Sequence, residues 1–231
     1  MNTLTHSYKS PAQTKGLLIR WASFYDRVVD ILTMGQTQHL RNMTVDQALL
    51  KPGESLLDVG CGTGGVAIPG KKRVGQNGKV AGIDPSPEML AVAGQMAARE
   101  GLEIDFRLGV IEALPYPDAT FDVVTSSLMM HHLPHDLRVK GLAEIYRVLK
   151  PDGRLLIADV MRPGGFFLKG LFALLSRHHG IEFGIEALPE TLKSAGFSTV
   201  TQLDERFRLL GFVRAVKPIA PIERSSKWRA I

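Results

Sequence analysis

The sequence of 231 residues contains one cysteine, Cys61. A single cysteine excludes an internal disulfide bond and any zinc cluster built on several cysteines. The paired histidines of the chain have no carboxylate or further histidine at metal-ligand spacing, so we expect no metal site. These absences are typical of the reducing cytoplasm, and we predict a cytoplasmic protein.

Long hydrophobic runs are also missing. No stretch approaches the roughly 20 apolar residues that span a bilayer, and residues 1–15 lack the hydrophobic core of a signal peptide. The composition, with 45% hydrophobic and 22% charged residues, is ordinary for a globular protein. The net charge of +5 comes mostly from scattered basic residues without an aromatic stacking platform, so we expect no nucleic-acid partner.

The most informative stretch is SLLDVGCGTGG, residues 55–65. Its first five residues are mostly apolar and predict a buried parallel strand. Four glycines follow this strand: Gly60, Gly62, Gly64 and Gly65. Because glycine has no Cβ, the backbone here can approach a ligand closely, and the next helix directs its free N–H groups toward it.

Two acids help to identify the ligand. The glycines fit the G-x-G-x-x-G pattern of dinucleotide sites as well as G-x-G-x-G, so a nicotinamide-dependent oxidoreductase stays open. Asp58, two residues before the first glycine, suits a cation better than a pyrophosphate, and S-adenosylmethionine (SAM) carries an ammonium and a sulfonium. Asp84 ends the second predicted strand, at the spacing at which a carboxylate meets a ribose diol.

Three motifs resemble those of a known family. The glycine stretch resembles motif I of the class I SAM-dependent methyltransferases. Together with EALPYPDATFDVVTSS and VLKPDGRLLIADV, it resembles their UbiE-like branch, the quinone C-methyltransferases, over about residues 50–160. The resemblance implies SAM as the cofactor. It also implies an α/β fold: a Rossmann-like, doubly wound, seven-stranded mixed sheet whose last strand pair is antiparallel, plus an N-terminal helical cap.

The predicted domains follow this pattern. We expect a helical cap over residues 1–50, a SAM-binding domain over 51–216 with a lid-like insertion at 161–184, and a mobile tail over 217–231. Apolar periodicity predicts helices over 16–33, 36–50, 66–74, 86–99, 136–149 and 185–195. It predicts strands over 55–59, 79–83, 104–108, 120–126, 154–160, 199–203 and 209–216. Pro69-Gly70 predicts a short or kinked first crossover helix, and Lys150–Gly153 a turn before the fifth strand.

The resemblance also indicates which residues bind SAM. Asp84 would bind the ribose, Met89 would lie under the adenine, and the glycine backbone would surround the methionine moiety. Val110 stands where the family has an aspartate that accepts from the adenine amino group, so Glu112, or the backbone with Ile111, would replace it. The predicted cofactor-binding set is Tyr25, Asp58, Gly60, Cys61, Gly62, Thr63, Gly64, Asp84, Pro85, Met89, Val110, Ile111, Glu112 and Ser126.

The candidate catalytic residues are His132 and Tyr25. His131 and His132 lie in the loop after the fourth strand, at the carboxyl edge where ligands of such sheets bind. A histidine can take a proton from the acceptor during methylation. By comparison with methyltransferases that use a histidine in this loop, we predict that His132 faces the substrate. Tyr25-Asp26 resembles a Tyr-Asp pair that recurs near the cofactor in the family.

The predicted function is methyl transfer to a small or lipophilic acceptor such as a quinol precursor. The alternatives are an N-methyltransferase acting on an amine or phospholipid headgroup, and a non-catalytic SAM-binding module. The apolar stretch 166–175 would form a lid, a dimer contact or a helix that touches a membrane, or would simply pack. Peripheral membrane contact and either a monomer or a homodimer therefore stay open.

Overall fold

The computed structural model describes residues 30–31, 33–162 and 184–219. Tyr25, nearly all of the predicted helix 16–33 and the apolar stretch 166–175 lie outside the described residues. In the described ranges, no helix combines the length and apolar character needed to cross a bilayer.

The described helices and strands follow one another in the predicted order. The helices are α1 (Thr37–Gln47), α2 (Ala67–Val74), α3 (Pro87–Arg99), α4 (His135–Val148) and α5 (Leu188–Ser194), with 3₁₀ turns at Met130–His132 and Ile185–Ala187. The strands are β1 (Ser55–Val59), β2 (Lys79–Asp84), β3 (Asp105–Leu108), β4 (Phe121–Ser127), β5 (Leu149–Val160), β6 (Ser198–Phe207) and β7 (Leu210–Val216). The predicted start of α3 is also correct, since the Ser86 hydroxyl accepts from the Met89 N–H at 3.2 Å.

These seven strands form one sheet in the order β3-β2-β1-β4-β5-β7-β6. Strands β1 to β5 are parallel, and β7 runs antiparallel to both β5 and β6. The predicted fold class is confirmed. The strand order reverses between β1 and β4, where Asp58 lies opposite Thr125. Ligands bind beside such a reversal, outside the carboxyl ends of the strands.

The sheet separates two apolar cores, because successive residues of a strand point to opposite faces. Leu57, Val124 and Ile157 belong to one core, together with side chains of α4 and α5. Leu56, Val123 and Leu156 belong to the other, together with side chains of α1, α2 and α3. Both faces of β1 and β4 are therefore covered, which explains their nearly continuous apolar sequence.

The local predictions for the α2 and β5 regions have different outcomes. Helix α2 is short, as predicted, and Pro69 lies in its first turn. The N–H groups of Ile68 and Gly70 donate to the carbonyls of Gly64 and Val66, and Pro69 between them has no N–H for the corresponding bond to Gly65. The turn predicted at residues 150–153 does not precede the fifth strand. Strand β5 already begins at Leu149, which pairs with Phe121, and the predicted turn residues form an irregularity inside β5. Asp152 takes a positive φ of 62° there.

The predicted helix over 185–195 is also divided. A 3₁₀ turn, Ile185–Ala187, precedes α5, and Pro189 lies in the first turn of α5. Proline has no N–H to donate back to the preceding turn, so one continuous α-helix cannot include it without losing a hydrogen bond.

Arginines of the sheet hold the carboxyl end of α1. Arg154 of β5 donates to the carbonyl oxygens of Ala48 and Leu49, at 2.7 and 2.5 Å, and also to both carboxylate oxygens of Glu54. Arg214 of β7 donates to the Gln47 carbonyl at 3.1 Å. These bonds satisfy carbonyls at the end of α1, and they fix that end at the amino edge of the parallel strands, opposite to the edge that carries the glycine loop.

Candidate functional site

The glycine loop after β1 folds back onto the end of β2. The N–H groups of Gly60 and Cys61 both donate to the Ile83 carbonyl, at 2.9 and 3.0 Å. Gly60 has a φ of 72°, and a Cβ added to it would lie 2.5 Å from the Met129 side chain. This position therefore requires glycine for both its backbone conformation and its close packing against the loop after β4.

Asp84, the last residue of β2, fixes the loop further. One of its carboxylate oxygens accepts from the Gly62 N–H and the other from the Ser86 N–H, each at 2.9 Å. Burial raises the pKa of Asp84, although these two donors favour the ionised form and partly offset the effect. The side chain predicted to bind ribose thus also connects the glycine loop to the start of α3.

Asp58 lies at the centre of the carboxyl edge and is 1% exposed. Its carboxylate accepts from the Thr125 hydroxyl at 2.9 Å and from the Ala67 N–H at 3.1 Å. Burial raises the pKa of Asp58 to about 7, against the opposing effect of these two hydrogen bonds. At neutral pH, a charged group bound beside the Asp58 carboxylate would therefore change the fraction of Asp58 that is ionised.

A cleft of about 490 Å³ opens between α1, the glycine loop and the end of β4. Five of the predicted cofactor-binding residues line it: Asp58, Gly60, Cys61, Gly62 and Thr63. Gly62 has a φ of 52°, and a Cβ added to it would meet no atom of the described residues within 4 Å. Gly65 of the glycine stretch also lines the cleft, together with six residues that the sequence did not single out: Thr37, Leu40, Arg41, Val66, Ser127 and Leu128.

Other predicted cofactor residues pack elsewhere. Ile111 is buried in the core and contacts α4, where a Cβ on Gly141 would lie 2.6 Å from its side chain. Met89 is buried, and Gly64 lies against Ile68. The remaining five described residues, which also do not line the cleft, are Asp84, Pro85, Val110, Glu112 and Ser126. Their contacts with the cofactor stay a prediction.

The two adjacent histidines differ in their surroundings. The imidazole of His131 shares a hydrogen bond of 2.5 Å between Nδ1 and the Asp159 carboxylate, which also accepts from the His131 N–H at 3.1 Å. The His132 ring lies against that of His131, with 3.9 Å between centroids. Nδ1 of His132 is buried and finds no hydrogen-bond partner within the described ranges. Burial, and then the neighbouring His131, lower the pKa of His132 to about 4.

A second, smaller pocket, open to the surface, lies beside this pair. His131 and Asp159 contribute its polar side, together with the buried Arg138. Its apolar side is formed by Met130, Val160, Ile185 and Leu188. It therefore combines a titratable pair with apolar walls at the carboxyl ends of β4 and β5.

Arg41, Arg138 and Asp159 are the charged lining residues that the sequence interpretation missed. Arg41 belongs to a helix that precedes every recognised motif, and no spacing relates it to the glycine loop. Asp159 stands in the motif VLKPDGRLLIADV, where an acid inside an apolar strand could have indicated a buried polar contact.

Comparisons with known proteins agree with this geometry. A family model described as a methyltransferase domain matches residues 56–153. The chain is 34% identical over 206 residues to a demethylmenaquinone methyltransferase of Symbiobacterium thermophilum, covering 83% of this chain and 81% of that protein. It is 36% identical over 159 residues to a 2-phytyl-1,4-naphtoquinone methyltransferase of Synechococcus elongatus, covering 68% and 67%.

A solved structure extends the agreement. The structure of a SAM-dependent methyltransferase from Aquifex aeolicus superposes with a TM-score of 0.64 at 26% identity, covering 76% of this chain and 88% of that one. The predicted family and enzyme class are confirmed, and the oxidoreductase interpretation is excluded. The chain belongs to the UbiE-like branch of the class I methyltransferases and is an enzyme that uses SAM as its cofactor.

Proposed function

We propose that this enzyme methylates a ring carbon of a lipophilic quinol precursor. The observation that carries the proposal is the 34% identity, over 83% of the chain, to a protein named demethylmenaquinone methyltransferase. The second relative is named for a phytyl-naphthoquinone, which is also a lipophilic naphthoquinone. An acceptor of this kind resides in a bilayer, so the proposal includes peripheral contact with a membrane surface.

The cleft has the features that SAM requires. Gly62 exposes bare backbone to open space, and Asp58 offers a carboxylate whose ionisation a bound cation would favour. Asp84 has further acceptor capacity on its two oxygens beyond the two N–H groups that it already binds. We therefore assign the methionine moiety to the glycine loop and the ribose to Asp84. The assignment of Tyr25 to the same pocket remains part of the proposal.

SAM supplies a methyl group carried on a sulfonium, and the protein supplies orientation and a water-poor site. The neutral imidazole of His132, whose Nδ1 has no hydrogen-bond partner among the described residues, can take the proton released by the acceptor. The hydrogen bond to Asp159 holds His131 in one orientation, and His131 in turn positions the His132 ring. Tyr25 is proposed as the second catalytic residue.

The pocket beside His131 is the proposed start of the acceptor site. Its apolar walls suit a hydrocarbon ring, and the histidine–aspartate pair suits the hydroxyl of a quinol. Gly184, at its edge, directly follows residues 163–183, so the apolar stretch within that segment is proposed to complete the site.

Methyl transfer from radiolabelled SAM tests the proposal. The acceptors to compare are a short-chain demethylated naphthoquinone kept reduced, the same compound oxidised, and phosphoethanolamine. We expect label in the reduced quinone alone, because reduction makes the ring carbon nucleophilic. Label in phosphoethanolamine would favour the N-methyltransferase alternative, and SAM binding without transfer to any acceptor would favour the non-catalytic one.

The role of His132 is tested by His132→Ala, with His135→Ala as the control because His135 is an exposed histidine at the start of α4. Loss of a general base lowers turnover by about 100-fold or more, and SAM affinity should not change. In the parent enzyme, turnover should fall at low pH as His132 protonates near its pKa of about 4. Equal turnover in both variants would remove His132 from the mechanism.

A further inference from the structure

Helix α1 contributes one face to the cofactor cleft. Thr37, Leu40 and Arg41 are spaced three and four residues apart, so their side chains lie on the same side of the helix. All three line the cleft. The hydrogen bonds of Arg154 and Arg214 to the carboxyl end of α1 hold that face in place.

The guanidinium of Arg41 lies directly on the backbone of the glycine loop. A Cβ added to Gly65 would lie 2.9 Å from Nε of Arg41 and 3.4 Å from its Cζ. Gly65 does not have a positive φ, so its backbone conformation tolerates other residues. A side chain at position 65 would displace the guanidinium.

The described lining of the cleft contains one basic and one acidic side chain. Among the described residues that line it, Arg41 is the base and Asp58 is the acid. A zwitterion with an ammonium and a carboxylate on one carbon matches such a pair. The α-amino acid end of SAM has these two groups.

We propose that Arg41 binds the carboxylate of the methionine moiety and thereby selects cofactors that retain it. This inference rests on the proposed cofactor placement and deepens it. A guanidinium can donate two N–H groups to one carboxylate, which fixes orientation as well as affinity. With Asp58 near the ammonium, the two residues would align the amino acid end along the glycine loop.

Calorimetric titration with two ligands tests the assignment without any catalytic assay. S-adenosylhomocysteine has the carboxylate, and S-adenosyl-3-thiopropylamine lacks only that group. The parent protein should prefer the first by about tenfold to a hundredfold, the usual effect of hydrogen bonds to a charged group. Arg41→Met, which keeps an unbranched stem against Gly65, should abolish the preference by weakening S-adenosylhomocysteine alone, and Arg41→Lys should retain part of it.

Arg99→Ala is the matched control, because Arg99 is an exposed arginine on α3 that does not line the cleft, and it should keep the full preference. A preference that survives in Arg41→Met would overturn the assignment, as would an equal loss of affinity for both ligands, which indicates a structural role. Failure of the parent protein to bind S-adenosylhomocysteine would instead overturn the cofactor placement.

Discussion

The carboxylate of Asp84 accepts a hydrogen bond from the backbone N–H of Gly62 at 2.9 Å. Its other oxygen accepts from the Ser86 N–H, so one side chain holds the glycine loop and the start of α3 together. The residue that the motif assigns to ribose therefore has a structural role that does not depend on the cofactor. Substitution at this position should affect the free protein as well as the complex.

We expect Asp84→Ala to lower the free energy of unfolding without ligand by about 1–3 kcal/mol, because the buried Ser86 N–H and the half-buried Gly62 N–H lose their acceptor. Asp84→Asn keeps one acceptor oxygen and should lose less stability. Urea unfolding in the absence of nucleosides measures both. If Asp84 served the ribose alone, the alanine variant would unfold at the parent's urea concentration and differ only in S-adenosylhomocysteine affinity.

The raised pKa of Asp58 predicts opposite pH dependences for stability and for binding. Folding raises this pKa from the ordinary 3.8 to about 7, so the folded protein holds a proton that the unfolded chain has lost between these values. Stability of the free protein should therefore fall as pH rises from about 4 to 7. A bound ammonium favours the ionised carboxylate, so affinity for S-adenosylhomocysteine should rise over pH 6–8.

Asp58→Asn removes the titration and should flatten both profiles. Urea unfolding at several pH values gives the first profile, and calorimetry in buffers of different ionisation enthalpy gives the proton release that accompanies the second. Parallel profiles for the parent and the asparagine variant would assign the pH dependence to other groups.

Substitution by alanine should have different effects on stability and on ligand affinity at different glycines. Gly60→Ala places a Cβ 2.5 Å from Met129 at a positive φ, so it should destabilise the protein strongly. Gly62→Ala meets open space, so it should cost only the about 1 kcal/mol of a left-handed backbone while obstructing the cleft. Gly94→Ala, in the middle of α3 with no atom within 4 Å of the added Cβ, should stabilise the helix by up to about 1 kcal/mol.

Melting temperatures and S-adenosylhomocysteine affinities of the three variants separate packing from ligand contact. The expected pattern is a large stability loss for Gly60→Ala, an affinity loss exceeding the stability loss for Gly62→Ala, and neither for Gly94→Ala. An unchanged affinity in Gly62→Ala would place the ligand away from this part of the loop.

The sequence was sufficient for the fold because its signals are local. Asp58 and Asp84 stand at the ends of apolar strands, and the parallel topology brings such ends to one edge. The pairing of His131 with Asp159 and the position of Arg41 beside Gly65 join residues far apart in the chain. No periodicity or spacing in the sequence predicts either contact. The predicted start of β5 was wrong because residues 150–153 have the sequence of a turn. In the structure they form an irregularity within the strand, which already pairs with Phe121 of β4.

The attachment of α1 to the sheet yields the last prediction. Arg154 and Glu54 form an ion pair whose side chains are 14% and 17% exposed, and Arg154 also binds two carbonyls at the end of α1. Arg154→Met should destabilise the protein by about 3 kcal/mol, because two carbonyls lose their donor and the partly buried Glu54 carboxylate keeps only the Lys51 N–H. Lys193→Ala, which breaks an exposed pair with Glu190, should cost almost nothing.

Because α1 carries Arg41 into the cleft, Arg154→Met should also weaken S-adenosylhomocysteine binding under conditions where the variant is fully folded. The affinity for S-adenosyl-3-thiopropylamine should fall less, because that ligand has no carboxylate and makes no such contact with Arg41. Calorimetry well below the melting temperature of the variant measures both affinities. Equal affinities in parent and variant would show that α1 keeps its position through apolar packing alone, and that the arginine contributes to stability without setting the geometry of the cleft.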